Sequence, residues 1–281
     1  MQIGDYKIRS IKTGLFKLDG GSMFGVVPKT IWSKSNPSDD KNRIEMSTNV
    51  LLLESKDRRI LVDTGIGHKM SDKLNQIYGV DYSEYTLEKG LSELNLKTDD
   101  ITDVILTHLH FDHAGGATRF DESKKPVPVF QNAIYHIQEK HLDWALNPTE
   151  RDKASFFPEN YQPLIDSKQL KTVNDKHNFD DFITLIPVNG HTRSMQIVKI
   201  SDGTESLVYL ADLIPMSAHV PLPYIMGYDL FPLVTLEEKR EYLKEIYENN
   251  YTVFFEHDPY VEAGKVGYYN NSYFLKDKIN V

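Results

Sequence analysis

Metal-binding types of side chain are concentrated in one short segment, residues 107–116, which reads THLHFDHAGG. Within it, His108, His110, Asp112 and His113 fall inside six residues. Side chains two residues apart in extended backbone lie on the same side, so His108 and His110 can face one point. The two glycines that follow allow a tight turn. Imidazole nitrogens and a carboxylate without thiolate suit Zn²⁺, Mn²⁺, Fe or Co²⁺, and the segment therefore predicts a metal site.

Four further polar residues stand at the ends of apolar runs. Asp63 ends ILVD, His191 follows TLIPVNG, Asp212 ends LVYLAD and His257 follows TVFFE. Any one of them alone is more simply interpreted as a polar residue that ends a strand. Strand ends are rigid and meet at a shared edge of a sheet, where they present side chains to a common site. Together with the His-rich segment, these residues predict one site assembled from several strand ends.

The elements that must position these residues alternate along the chain. Strand patterns lie at 6–16, 48–54, 59–63, 103–107, 183–188, 195–200, 207–210 and 251–255, and helical patterns at 69–78, 85–96 and 138–146. Thr235, with Glu238 three residues later, predicts a capping box that opens a further helix. This order predicts two sheets with helices outside, in four layers, although periodicity alone leaves α/β and α+β both open.

Composition excludes several classes of protein. The 281 residues contain no cysteine, which excludes disulfides, cysteine-bound zinc, iron–sulfur clusters and thiol nucleophiles. The formal net charge of −9 argues against nucleic acid as a partner. No apolar run approaches the roughly 18 residues of a membrane span, and the N-terminus lacks the apolar core of a signal peptide. We therefore expect a single cytoplasmic domain over residues 1–281, because no linker divides the chain.

The segment Thr107–His113 resembles the signature of the metallo-β-lactamase superfamily. That resemblance implies an αββα sandwich with a dinuclear metal site at one edge, between the two sheets. It implies that one metal is held by His108, His110 and His191. It implies that the other is held by Asp112, His113 and His257, and that Asp212 bridges the two. The expected cofactors are two divalent ions, with Zn²⁺ first and Mn, Fe or Co as alternatives.

Within the superfamily, the sequence is most similar to quorum-quenching N-acyl-homoserine lactonases of the YtnP-like type. The similarity rests on the segments 18–29, 211–215 and 219–223. It implies that a metal-bound hydroxide opens a lactone ring, and that Asp112 and Asp212 serve catalysis, with Asp112 delivering a proton to the leaving alkoxide. Some of these lactonases carry a catalytic tyrosine three residues after the bridging aspartate, where this sequence has Pro215. Any tyrosine must then come from elsewhere, with Tyr224 as one candidate.

Other residues are assigned supporting roles. Asp63 is expected to accept a hydrogen bond from a ligand histidine. The candidates for contact with substrate are Met23, Phe24, His219, Tyr224, Ile225 and Met226. The expected partner is a small lactone, with no nucleic acid and no membrane, and a homodimer is allowed. The alternatives are a hydrolase of organophosphate triesters, β-lactams or other esters, and a non-catalytic metal-binding protein on the same scaffold.

Overall fold

The computed structural model describes residues 1–281. Its strands are β1 (Gln2–Ile3), β2 (Tyr6–Asp19), β3 (Arg43–Glu54), β4 (Arg59–Val62), β5 (Asp103–Ile105), β6 (Thr118–Phe120), β7 (Pro126–Pro128), β8 (Ile134–Gln138), β9 (Leu170–Val173), β10 (His177–Asn178), β11 (Ile183–Val188), β12 (Met195–Ser201), β13 (Ser206–Tyr209), β14 (Thr252–Phe254), β15 (Ala263–Tyr269) and β16 (Ser272–Ile279). Its α-helices are α1 (Gly20–Phe24), α2 (Lys29–Trp32), α3 (Asp72–Tyr78), α4 (Leu87–Glu93), α5 (Phe111–Ala114), α6 (Glu139–Leu146), α7 (Gln162–Asp166) and α8 (Pro232–Glu248). None of these helices is both long enough and apolar enough to cross a membrane.

Two seven-stranded sheets divide the chain between them. The first has the order β1-β2-β3-β4-β5-β8-β9 and the second the order β10-β11-β12-β13-β14-β15-β16, while β6 and β7 form a separate hairpin. Strands β4, β5, β8 and β9 are mutually parallel, as are β13 and β14 in the second sheet. All strands of the first sheet precede all strands of the second along the chain, so each half of the chain builds one sheet.

The alternation of side chains along β3 shows how the layers form. Residues 46–53 are all buried, as expected for a strand covered on both faces. Leu51 and Leu53 join a 33-residue apolar cluster that also contains the inner face of the second sheet. Val50 and Leu52 point the other way, into a 22-residue cluster with α4, α6 and α7. Successive residues of a strand point to opposite faces, so one strand contributes to both cores.

Helix α8 covers the second sheet and completes the αββα sandwich that the sequence predicted. Its Leu243 and Ile246 are buried in the same cluster as the inner faces of the sheets. The predicted start of this helix was wrong. It begins at Pro232, a residue whose fixed φ suits the first turn, so Thr235 lies inside the helix. The Glu238 carboxylate does not cap the helix but accepts hydrogen bonds from the backbone N–H groups of Asn189 (2.7 Å) and Gly190 (2.9 Å).

Candidate metal centre

The carboxyl ends of parallel strands bring the polar residues to one edge of the sandwich. Asp63 follows β4, and the His-rich segment follows β5, its parallel neighbour. In the second sheet, Tyr209 of β13 pairs with Phe254 of β14. Asp212 and His257 each stand three residues after that pair, and therefore leave the sheet at the same end. His191 follows β11 at the same edge.

One group of four donors surrounds a common point. His110 Nδ1 lies 3.1 Å from both His108 Nε2 and His191 Nε2. Asp212 Oδ2 lies 3.1 Å from His191 Nε2 and 3.7 Å from His108 Nε2. All four side chains are buried. The four donor atoms lie within 4.8 Å of one another, as they would around a single cation.

A second group lies next to the first. His113 Nε2 and His257 Nε2 are 3.2 Å apart, and Asp112 Oδ2 lies 3.6 Å from His257 Nε2. Asp212 Oδ1 lies 3.3 Å from His257 Nε2 and Asp212 Oδ2 lies 3.5 Å from His113 Nε2, so this carboxylate also contacts the second group. This Oδ1 atom is buried and has no hydrogen-bond partner. Asp212 thus joins the two groups through one carboxylate.

The donor set fits two divalent ions. Ligand atoms about 2.0–2.1 Å from a tetrahedral zinc lie roughly 3.3 Å apart, which is the range observed within each group. Burial raises the pKa of Asp212, but His191, His113 and His257 hold that pKa well below its usual range. Burial likewise lowers the pKa of His191, yet Asp212 and Asp229 raise it to about 10. The carboxylates therefore stabilise positive charge at the histidine nitrogens, and bound cations would supply that charge.

Carboxylates behind the histidines fix the orientation of the rings. His113 Nδ1 lies 3.1 Å from Asp63 Oδ2 and 3.0 Å from Glu256 Oε2. Asp63 adopts a left-handed φ of 61° and accepts hydrogen bonds from the Thr107 N–H and hydroxyl, both at 2.7 Å. Its carboxylate therefore holds the His-rich segment by the backbone as well as by His113.

Sequence reasoning did not single out three buried residues that hold this site. Asp229 Oδ1 lies 2.9 Å from His191 Nδ1, and nothing in the sequence around Asp229 marks it. Glu256 directly precedes His257, a position that does offer a signal. His141 is fully buried. Its Nε2 accepts a hydrogen bond from the Leu109 N–H (2.9 Å), inside the His-rich segment.

A cleft of about 310 Å³ opens over the two groups of donors. Asp112 and Asp212 line it, and so do Met23 and Met226 from the candidate substrate residues. The other candidates, Phe24, His219, Tyr224 and Ile225, are not brought to its surface.

Packing explains the position of these candidates behind the wall of the cleft. The Phe24 ring stacks on His219, with ring centroids 4.7 Å apart, and on Trp32, with centroids 5.3 Å apart. Tyr224 packs edge-on against the same ring, at a centroid distance of 6.1 Å. His219 Nε2 donates to the Met23 carbonyl (2.8 Å), so its ring supports the wall of the cleft and does not line the cleft itself.

The structure adds other residues to the cleft. Tyr78 at the end of α3 and Tyr228 in the loop before α8 both line it. Arg151 and Asp152 also line it, and Arg151 Nη2 donates to the Gly227 carbonyl (2.7 Å). This hydrogen bond ties Arg151 to the loop that carries Tyr228. None of these four residues was singled out from the sequence.

Comparison with known proteins identifies the family of this chain. The model of the metallo-beta-lactamase superfamily matches residues 43–257. A solved structure described as a probable metal-dependent hydrolase from Staphylococcus aureus is 30% identical, with a TM-score of 0.88 over 99% of this chain and 100% of that one. The dizinc quorum-quenching lactonase AidC, solved with the product N-hexanoyl-L-homoserine, has a TM-score of 0.81 over 100% of this chain and 97% of its own. At 23% identity that likeness shows the fold alone.

Curated relatives match over shorter stretches. The N-acyl homoserine lactonase AiiB of Agrobacterium fabrum is 31% identical over 124 residues, which cover 39% of this chain and 45% of that protein. A probable metallo-hydrolase of Mycobacterium tuberculosis is 25% identical over 186 residues, 60% of this chain and 57% of that one. The chain thus spans about half the length of these curated relatives.

Proposed function

The chain belongs to the metallo-β-lactamase superfamily, and from this premise we propose that it is a dinuclear metal-dependent hydrolase that opens the ring of N-acyl-homoserine lactones. One observation carries the proposal. A single buried carboxylate, Asp212, contacts both groups of donors in an open cleft. Such an arrangement suits a pair of cations that share one reacting oxygen.

The residues of the centre take distinct roles in this proposal. One ion would be held by His108, His110 and His191, the other by Asp112, His113 and His257, and Asp212 would serve both sites. When bound, two divalent cations, which we take to be zinc, supply a water of lowered pKa and positive charge opposite the substrate's carbonyl oxygen. Asp112 lines the cleft and contacts only the second group, so its carboxyl is placed to carry a proton to the leaving oxygen.

The walls of the cleft support an amphipathic substrate. Met23, Met46 and Met226 line the cleft, and methionine packs readily against flexible alkyl chains. Arg151 and Asp152 add polar groups to the lining. A lactone with an acyl-amide tail has a carbonyl for the centre and an apolar chain for the methionines. The 31% identity to a lactonase over part of the chain agrees with this substrate class.

A substrate panel tests the proposal. The Zn²⁺-loaded protein is expected to hydrolyse acyl-homoserine lactones faster than paraoxon-type triesters and β-lactams, measured by proton release at constant pH. Asp212→Ala is expected to bind less metal and to lose this hydrolysis, because both groups lose a ligand. Faster turnover of triesters or β-lactams would show that these compounds, and not lactones, are the preferred substrate class. Two bound ions without hydrolysis of any panel member would indicate a non-catalytic metal-binding protein.

A further inference from the structure

Two tyrosines line the cleft that Asp112 also lines. Tyr78 is the last residue of α3, and Tyr228 lies in the loop that leads to α8. Burial and then Asp112 raise the pKa of Tyr78. Burial, followed by nearby groups that include Tyr78 and Asp112, raises the pKa of Tyr228 to about 12. Both phenols therefore keep their protons at neutral pH.

The ring of Tyr78 is held firmly in place. It stacks on Phe111, with centroids 4.8 Å apart, and Phe111 directly precedes Asp112. The end of α3 is closed by Gly79, whose φ of 53° suits a glycine. Arg43 Nη1 donates to the carbonyls of Gln76 (3.1 Å) and Ile77 (2.8 Å), which ties the same helix end to β3.

Tyr228 is placed by the backbone on either side of it. Gly227 N donates to the Ser22 carbonyl (2.7 Å), and the Gly227 carbonyl accepts from Arg151 (2.7 Å). On the other side, Asp229 holds His191. The loop is therefore fixed at both neighbours of Tyr228, and the tyrosine side chain is left to line the cleft.

Neither hydroxyl is bonded to a carboxylate or a backbone carbonyl of the protein. Six other tyrosines hydrogen-bond their hydroxyls to such groups, as at Tyr6, Tyr82, Tyr135, Tyr161, Tyr209 and Tyr260. The Tyr228 hydroxyl has the Ser22 side chain as a hydrogen-bonding neighbour, which leaves its own proton free for another acceptor when Ser22 donates. Two phenol donors are thus available to a molecule in the cleft.

We propose that Tyr78 and Tyr228 donate hydrogen bonds to the leaving oxygen of the substrate, next to Asp112. The inference rests on the proposed lactonase function and deepens it. As the ring C–O bond breaks, its electron pair passes to the former ring oxygen, which becomes an alkoxide. The water that adds to the carbonyl carbon gives a proton to Asp112, and Asp112 passes that proton to the former ring oxygen while the two phenols stabilise its charge by hydrogen bonds; the new carboxylic acid loses its remaining proton to solvent. The product is then a carboxylate with a free hydroxyl, and the tyrosines are unchanged.

The test compares substrates that differ only in the leaving atom. Tyr78→Phe and Tyr228→Phe are each expected to lower kcat on an acyl-homoserine lactone by roughly 10-fold, the scale of a hydrogen bond to a developing charge. The matching thiolactone expels a thiolate, a weaker hydrogen-bond acceptor and a better leaving group, so its kcat should fall much less. Tyr224→Phe is the matched control, because Tyr224 lies on the same stretch of chain but behind the wall, and it should change neither substrate.

Binding of the product gives a readout without turnover. N-hexanoyl-L-homoserine carries the former leaving oxygen as a hydroxyl, and the same compound without that hydroxyl is its control ligand. Both tyrosine variants should weaken binding of the first severalfold by calorimetry and leave the second unchanged. Equal losses on lactone and thiolactone, or equal losses for the two product analogues, would overturn the inference and leave the lactonase proposal standing. A wild-type protein that opens no lactone would overturn both.

Discussion

Asp112 differs from the other carboxylate of the centre in what it contacts. Asp212 faces both groups of donors, whereas Asp112 lies near His257 (3.6 Å) and His113 (3.9 Å) only. It also lines the cleft, with a side chain about 10% exposed. A ligand to one ion that also faces the substrate can hold a cation and move a proton.

Asp112→Asn should separate those two roles. The amide keeps an oxygen ligand but cannot deliver a proton, so lactone opening is expected to slow by roughly 10²-fold or more. A nitrophenyl ester expels a phenolate with a pKa of about 7, which needs no acid, and should be affected much less. The rates are to be compared at equal metal content. Equal losses on both substrates would remove Asp112 as the acid.

Asp229 shows what a buried carboxylate contributes behind a ligand histidine. It accepts from His191 Nδ1 at 2.9 Å, which fixes the tautomer that leaves Nε2 free for a cation. Asp229→Asn is expected to weaken metal binding about 10- to 100-fold, measured by competition with a chelating dye. Asp152→Asn is the matched control, because Asp152 is also buried in the cleft but bonds Thr149 and Trp144. Similar losses in the two variants would indicate general damage to the cleft.

The metal-ligating types of residue were visible in the sequence because their spacing is local or coincides with strand ends. The structure brings all seven into two adjacent groups. Asp229, Tyr78 and Arg151 were not visible, since their places at the site depend on tertiary contacts between distant segments of the chain. Phe24 and His219 were predicted to contact substrate, but they do not line the cleft. The sequence cannot distinguish an aromatic residue that lines a cleft from one that packs behind its wall.

At the scale of elements, α8 fastens the loop that backs the cleft. Lys239 lies in the middle of this helix, fully buried. Its ammonium donates to the carbonyls of His219 (2.7 Å), Pro221 (2.9 Å), Leu222 (3.4 Å) and Tyr224 (2.7 Å). The three N–H groups of this ammonium thus pair with the carbonyls of His219, Pro221 and Tyr224 and fasten the loop to the helix.

Lys239→Met should destabilise the folded protein. Hydrogen bonds to a charged group contribute roughly 1.5–3 kcal/mol, and buried carbonyls would be left without partners, so the free energy of unfolding is expected to fall by about 2–4 kcal/mol. Urea titration measures it. Lys244→Met, on the same helix but with a side chain 66% exposed, should change it by about 0.5 kcal/mol or less. If Lys239→Met is as mild as this control, the carbonyls find other partners.

The elements were predicted well where periodicity is strong and poorly where contacts decide. Strand β11 has the predicted bounds, 183–188, because its apolar run is bounded by turn residues. The predicted capping box failed, since Glu238 is engaged by the backbone beside His191. Strands β15 and β16 were not predicted at all. They pair as a hairpin at the edge of the second sheet, and β16 is largely exposed, so its apolar pattern is weak.

At the scale of the whole molecule, the candidate metal centre draws its donors from four separate segments of the chain, at residues 108–113, 191, 212 and 257. Ions that bind only this assembled set stabilise the folded state by mass action, about 2.7 kcal/mol when free metal is 100 times the dissociation constant. Removing metal with a chelator should therefore lower the Tm by roughly 5–10 °C for a chain of this size. Scanning calorimetry of the loaded and stripped protein measures this. Identical melting temperatures would show that these residues do not hold ions tightly.

Because each half of the chain builds one sheet, we expect the protein to be separable into complementing fragments. A cut between Val173 and His177, in the connection from β9 to β10, leaves each sheet intact on its own piece. The first piece keeps the donors of residues 108–113, and the second keeps His191, Asp212 and His257, so neither group of donors is complete on either piece. Mixed fragments should regain metal binding and hydrolysis in proportion to the product of their concentrations, whereas each alone should show neither. Catalysis would then report the meeting of two separately expressed polypeptides, with the interface supplied by the apolar faces that the uncut chain buries between its sheets.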